Sequence, residues 1–134
     1  YFNVYGKGEE DKGAQASPYT KFTDQAKENG VIKVFEDSNN YLRDFVCIDD
    51  ICKLHEKMFD VDQSGIFNVG TSNPVSFETV AQTIANKHGA TIEYIPIPEN
   101  IKSQYQKYTC ADLTNLNSVV DMQWTNIEDY INGK

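Results

Sequence analysis

Arginine occurs once in this chain of 134 residues, at Arg43, and cationic side chains are scarce altogether. Lysine and arginine together number 12, against 20 aspartates and glutamates, for a net charge of −8. A sequence pI near 4.6 excludes nucleic acid and anionic membrane as main partners, because both demand a basic footprint. A small anionic ligand stays open, since a few local cations suffice. Long apolar runs are also missing, and none approaches the ~18–20 residues of a membrane span. Cysteine is limited to Cys47, Cys52 and Cys110. An odd number with no regular framework points to reduced thiols and a cytoplasmic setting. The spacing of Cys47 and Cys52 is not that of metal ligands, and neither His55 nor His88 completes a cluster. No metal site is expected, and the thiols read as small buried or half-buried side chains.

What is present is a folded α/β pattern. A hydrophobic content of 40% with 12% aromatics is too high for disorder, and the length fits a single domain over 1–134. Residues 1–6, YFNVYG, read as a buried strand. Ser17-Pro18 then starts a helix, a capping hydroxyl followed by proline at the first helical position, and Asn29-Gly30 ends it. Val31 to Phe35 alternates as a strand, and Leu42 to Val46 gives a second. Between them Asp37-Ser38-Asn39-Asn40 is turn chemistry that tolerates left-handed φ. Asp49 and Asp50 sit where a helix to about Phe59 would cap, with His55 at its core boundary. Gly65 to Gly70 reads as a short strand, Ser76 as the cap of a helix from Phe77, and Thr91 to Ile97 as an edge strand limited by Pro96 and Pro98. Asp112 to Val120 and Asn126 to Ile131 are helical candidates, with Trp124 packed before the second. Strand and helix alternate without repeat or linker, which is the α/β pattern.

Several motifs invite a ligand and fail on inspection. The loop GKGEEDKG at 6–13 contains G-x-G, but the third glycine position holds Asp11 and the acidic run would repel a phosphate. Asp60 to Gly65 opens like a calcium loop, yet the twelfth position is Thr71 where a bidentate Glu is needed. Tyr130 and Lys134 have the Tyr-x-x-x-Lys spacing, but Gly133 lies between them and the segment reads as a mobile tail. Arg43 is different. A guanidinium is a planar fork suited to phosphate or carboxylate, and an ion pair with Asp44, Glu36 or Asp37 is its ordinary alternative.

YFNVYG at 1–6, LRDFVCIDDI at 42–51 and GIFNVG at 65–70 resemble the second half of an extended short-chain dehydrogenase/reductase. DKGAQAS at 11–17, VFEDS at 34–38, IEYIPIP at 92–98 and YQKYTCADLTNL at 105–116 are similar, more narrowly, to the ADP-L-glycero-D-manno-heptose 6-epimerase family. The resemblance implies the C-terminal, substrate-binding portion of a longer nucleotide-sugar epimerase, including strands of an incomplete Rossmann-type sheet. The upstream cofactor-binding half, with the catalytic tyrosine, would precede Tyr1. It implies a bound NADP or NAD, an ADP-heptose-like substrate and a place in bacterial heptose and lipopolysaccharide biosynthesis. Inversion would run through removal of hydride from C6 and its return to the other face.

Carried over by position, the resemblance makes Lys12 the second acid/base group and a cofactor neighbour, with Val4 touching the cofactor. Asn3, Ala14, Lys21, Phe35, Glu36, Asp37 and Ser38 become substrate contacts. Arg43 holds the ADP end, and Tyr105 closes over it. Read from the residues alone, Lys12 in EEDKG is a solvated charge. A lysine base also needs desolvation or nearby positive charge, so Glu9, Glu10 and Asp11 should point away from it. The chain departs from the family at Lys7-Gly8, where Pro-Arg is usual, at Ala14 for serine, Lys21 for histidine and Asp37 for glycine. Two other readings stay open. One is a related enzyme acting on a different nucleotide sugar, a 4-epimerase or dehydratase. The other is a non-catalytic nucleotide-sugar-binding or assembly module. In isolation the chain is expected to be inactive, and to self-associate or pair with a cofactor-binding half through its apolar strands.

Overall fold

A computed structural model describes all residues, 1–134. Strand β1 (Asn3–Tyr5) runs parallel to β4 (Phe45–Cys47), and β2 (Val31–Phe35) runs parallel to β6 (Thr91–Ile95). A third pair, β3 (Leu42–Arg43) and β5 (Val75–Ser76), is antiparallel. The main helices are α1 (Pro18–Asn29), α2 (Ile48–Met58) and α3 (Phe77–His88). Short helices α4 (Glu99–Lys102), α5 (Thr114–Asn117) and α6 (Ile127–Ile131) follow. The α/β class and the two parallel pairs agree with the expectation of part of a larger sheet.

Local chemistry explains the boundaries. Ser17 Oγ accepts from Thr20 N–H at 3.4 Å and Pro18 occupies the first turn of α1, so the orphan donors there are partly met. Gly30 ends it at φ 66°, a left-handed value that glycine adopts freely. At the head of α3, Ser76 Oγ accepts from Thr79 N–H at 3.0 Å. β6 stops at Ile95 because Pro96 brings no N–H to the ladder.

Two apolar clusters form the interior. The larger gathers Ile32 and Val34 of β2 with Val80, Ala81 and Ile84 of α3, and adds Phe45, Ile127 and Ile131. α1 and α3 pack beside each other over β2. The smaller cluster gathers Val46, Ile51 and Leu54 with Val69, Leu113 and Leu116.

Several expectations are corrected. Leu42 to Val46 is not one strand: it breaks at Asp44, and its halves join different sheets. Helix α2 begins at Ile48 after Cys47, so Asp49 and Asp50 lie inside its first turn. Asp50 is 1% exposed and accepts from Thr125 N–H at 2.6 Å, which ties the C-terminal segment to α2. Gly65 to Gly70 is not a strand. One backbone bond, Phe2 N–H to Val69 C=O at 2.9 Å, joins it to the residue before β1, and Ile66 is 91% exposed. The helix expected from Asp112 to Val120 is reduced to α5. His55 is exposed rather than at a core boundary, and hydrogen-bonds the Tyr1 hydroxyl at 2.6 Å. Cys52 is exposed. Tyr130 is no mobile tail: its ring packs edge-on against Tyr5 and Tyr19, with centroids 5.2 and 5.5 Å away.

Removing apolar volume should therefore cost very different amounts at two isoleucines. Ile84 is fully buried and Ile66 is 91% exposed. Ile84→Ala should lower unfolding free energy by about 2–5 kcal/mol, and Ile66→Ala by no more than about 0.5 kcal/mol. Urea denaturation of the two variants checks this; equal losses would contradict the core described.

Candidate functional site

A groove of about 380 Å³ opens between α1, the end of β2 and the head of α3. Its walls are aromatic: Phe22, Phe35, Tyr41, Phe77 and Tyr105. The ring of Tyr105 stands edge-on to Phe35 and to Tyr41, with centroids 5.9 and 4.9 Å away. Lys21 and Lys33 bring positive charge to the same opening. Ser38, only 2% exposed, also lines it, and its hydroxyl has no hydrogen-bond partner within the protein. An aromatic slot with a few polar groups suits a planar, partly polar ligand.

Arg43 lies behind this wall. It is 8% exposed, and its guanidinium sits over the rings of Phe77 and Tyr105, 5.1 and 5.4 Å from their centroids. Its one hydrogen bond within the protein runs from Nη1 to the Leu42 carbonyl at 2.9 Å. No carboxylate stands at ion-pair distance, so the ordinary pairing with Asp44, Glu36 or Asp37 is not made. Asp44, the nearest in sequence, spends its carboxylate elsewhere, on Thr71, Ser72 and Ala111. Burial pulls the Arg43 guanidinium below its ordinary value, while Tyr105 works in the opposite direction. Burial likewise pushes the Tyr105 hydroxyl up, against the pull of Arg43. A buried cation held only by aromatic faces and one carbonyl has donors left for an anion.

Of the residues singled out from the sequence, Lys21, Phe35, Ser38 and Tyr105 meet in this groove, with Arg43 against its wall. Glu36 and Asp37 are exposed at its edge of the fold and do not line it. Asp37 adopts φ 64°, the left-handed conformation that glycine takes at no steric cost and aspartate tolerates. Asn3 and Val4 lie half-buried on β1, and Lys12 and Ala14 are exposed in the loop before α1. None of these four lines the aromatic groove. Lys12 does not have its acidic neighbours turned away. Its Nζ lies 3.6 Å from Glu9, whose carboxylate is 6% exposed.

Sequence reading missed Phe22, Tyr41 and Phe77 of the groove wall, and it missed Glu9. Tyr41 and Phe77 carried a signal, standing beside an expected turn and an expected cap, and Phe22 lay on the apolar face of an expected helix. Glu9 carried none within its acidic run.

A model of the NAD dependent epimerase/dehydratase family matches residues 1–70. An ADP-L-glycero-D-manno-heptose-6-epimerase from Brachyspira hyodysenteriae is 44% identical over 118 residues, covering 87% of this chain and 37% of that protein. The solved ADP-L-glycero-D-manno-heptose-6-epimerase of Helicobacter pylori superposes with TM-score 0.86 at 29% identity, over 99% of this chain and 41% of that one. A Thermotoga maritima UDP-glucose 4-epimerase shares the fold, with TM-score 0.81 at 20% identity over 98% of this chain and 41% of that one. The chain thus spans about two fifths of the length of these relatives, 37% to 41%.

The Glu9 carboxyl sets a pH test. Burial raises it, but hydrogen bonds from the Ser17 and Thr20 hydroxyls and the Ser17 amide, with Lys12 close by, outweigh burial and hold it below its ordinary value of 4.5. A lowered folded value stabilises above the unfolded value and ceases to do so as pH falls through the folded one. Wild type should be more stable than Glu9→Gln at pH 6, and the gap should close as pH drops below about 4.5. Urea midpoints measured against pH check this; a gap independent of pH would contradict it.

Proposed function

This chain belongs to the NAD dependent epimerase/dehydratase family, and on that footing we propose that it is the substrate-binding portion of an ADP-glycero-manno-heptose 6-epimerase. The observation that carries the reading is Arg43, a buried guanidinium with no counter-anion beside an aromatic groove. In this reading the groove takes the nucleotide end of the substrate, with aromatic faces against the base and Arg43 on phosphate oxygens. Tyr105 covers the guanidinium, and Lys21, Phe35 and Ser38 complete the contacts. The similarity to heptose epimerases from two bacteria favours ADP-heptose over other nucleotide sugars.

Inversion at C6 needs an acid/base group on each face of the sugar, because hydride leaves one face and returns to the other. Lys12 is the group this chain offers, and the reading gives it the far face. Gly13 beside it, at φ 52°, lets the loop turn there. A nicotinamide, NADP in this reading, would accept the hydride from C6 and return it. Val4 packs against the smaller apolar cluster and Lys12 is exposed, so the residues present do not by themselves form a nicotinamide pocket. Most of the cofactor's contacts would come from the length of the relatives that this chain does not span. The exposed apolar surface at Tyr1, Phe59 and Ile66, 70%, 88% and 91% exposed, supports a partner there, either that half or a second copy.

In a protein of the relatives' full length, Arg43→Lys keeps the charge and loses the fork. It should weaken ADP binding by about 1–3 kcal/mol, the scale of a charge-assisted hydrogen bond. Calorimetric titration with ADP tests this. Unchanged affinity with lowered stability would assign Arg43 to structure and remove the main support for the reading.

A further inference from the structure

Glu9 has two properties that neither the family resemblance nor the groove accounts for. It is a carboxylate 6% exposed in a loop whose other charged members, Lys7, Glu10, Asp11 and Lys12, are all exposed. Every hydrogen bond its carboxylate accepts comes from the cap and first turn of α1. Ser17 N–H reaches Oε1 at 2.9 Å, and the hydroxyls of Ser17 and Thr20 reach Oε2 at 2.6 and 2.5 Å. The cap residue is thereby engaged twice, since Ser17 Oγ also accepts from Thr20 N–H. A negative charge at a helix N-terminus is favoured by the helix dipole.

On its other side Glu9 faces Lys12, with Nζ 3.6 Å from Oε1. That is an ion pair rather than a hydrogen bond. Glu10 and Asp11 form no such pair. The helix that Glu9 grips is the one whose Lys21, Phe22 and Gln25 line the groove. One side chain therefore joins the loop lysine to the groove wall.

We propose that Glu9 is a positioning residue, which fixes Lys12 to the N-terminal turn of α1 so that the lysine and the substrate groove hold one relative geometry. The proposal rests on the reading of Lys12 as an acid/base group. A lysine on a loop has four rotatable bonds and much orientational freedom, and a fixed anion reduces it. Reaction rates depend steeply on the placement of such a group.

The test uses a protein of the relatives' full length, with Glu9→Gln, Lys12→Met and the double variant. Glutamine keeps the size and an acceptor oxygen but removes the charge facing Lys12. Glu9→Gln should lower kcat about 10- to 100-fold, the range expected for a misplaced group, with KM close to wild type in assays run well below the variant's melting temperature. The double variant should be no slower than Lys12→Met, because both changes act through one group. Independently of turnover, acylation of Lys12 by acetic anhydride, followed by mass spectrometry, should be several-fold faster in Glu9→Gln. Additive losses in the double variant, or an unchanged kcat in Glu9→Gln, overturn the proposal alone. Wild-type turnover by Lys12→Met overturns the acid/base reading and this proposal with it. Should Glu9→Gln fold poorly, Glu9→Asp, which keeps the charge and shortens its reach, replaces it. A lowered kcat at constant KM supports the proposal there, and an unchanged kcat overturns it.

Discussion

The carboxylate of Asp44 is the point on which the rest of the structure depends. It is fully buried and accepts four hydrogen bonds: from Thr71 N–H and Oγ1 at 2.7 and 2.8 Å, Ser72 N–H at 2.9 Å and Ala111 N–H at 2.9 Å. Its own backbone adds β1, accepting from Asn3 N–H at 3.1 Å, and holds the segment around residue 110 a second time by donating to Thr109 Oγ1 at 3.2 Å. Backbone donors from β1, from the loop after Gly70 and from the segment around residue 110 therefore converge on one residue. A buried carboxylate left without partners costs several kcal/mol, so these segments must arrive together or not at all.

This requirement shapes the chain around it. Asp44 interrupts what would be a continuous strand, leaving β3 to pair with β5 and β4 with β1. A Cβ at Gly70 would stand 2.7 Å from Asp44 Oδ2 and from Ala111 Cβ, so no larger residue fits. Ser72 accepts a left-handed φ of 58° to aim its amide at the carboxylate, and its hydroxyl bonds the Ala111 carbonyl. The candidate site follows from the same arrangement. With Asp44 committed to backbone donors, Arg43 beside it has no carboxylate and turns to the faces of Phe77 and Tyr105. An uncompensated cation at the aromatic groove thus follows from where its neighbour's charge is used.

Much of this was legible in the sequence where the signal is local. Caps and a left-handed stop placed α1 and the start of α3 closely, since Ser17-Pro18, Gly30 and Ser76 act through contacts a few residues away. Alternation placed β2 within its observed bounds. Arg43 stood out as the one arginine, with an ion pair as its ordinary reading and a phosphate role implied by the resemblance, and the ion pair is not made. What escaped is long-range. The break at Asp44 depends on partners 27 and 67 residues away, and no pattern in LRDFV announces them. GIFNVG has the composition of a strand, but a strand is made by its ladder, and one backbone bond joins it to Phe2, just before β1. Glu9 is held by the cap of a helix eight residues later, in a run that otherwise reads as solvated charge.

Amide hydrogen exchange reports directly on whether one carboxylate gathers these segments. The amides of Thr71, Ser72 and Ala111 should be protected although all three lie outside helices and strands. In Asp44→Asn one acceptor oxygen becomes a donor, and protection at these three amides should collapse further than at Ile84 in α3. Protection that survives the substitution, or falls equally in α3 and at the three amides, would contradict the central place given to Asp44.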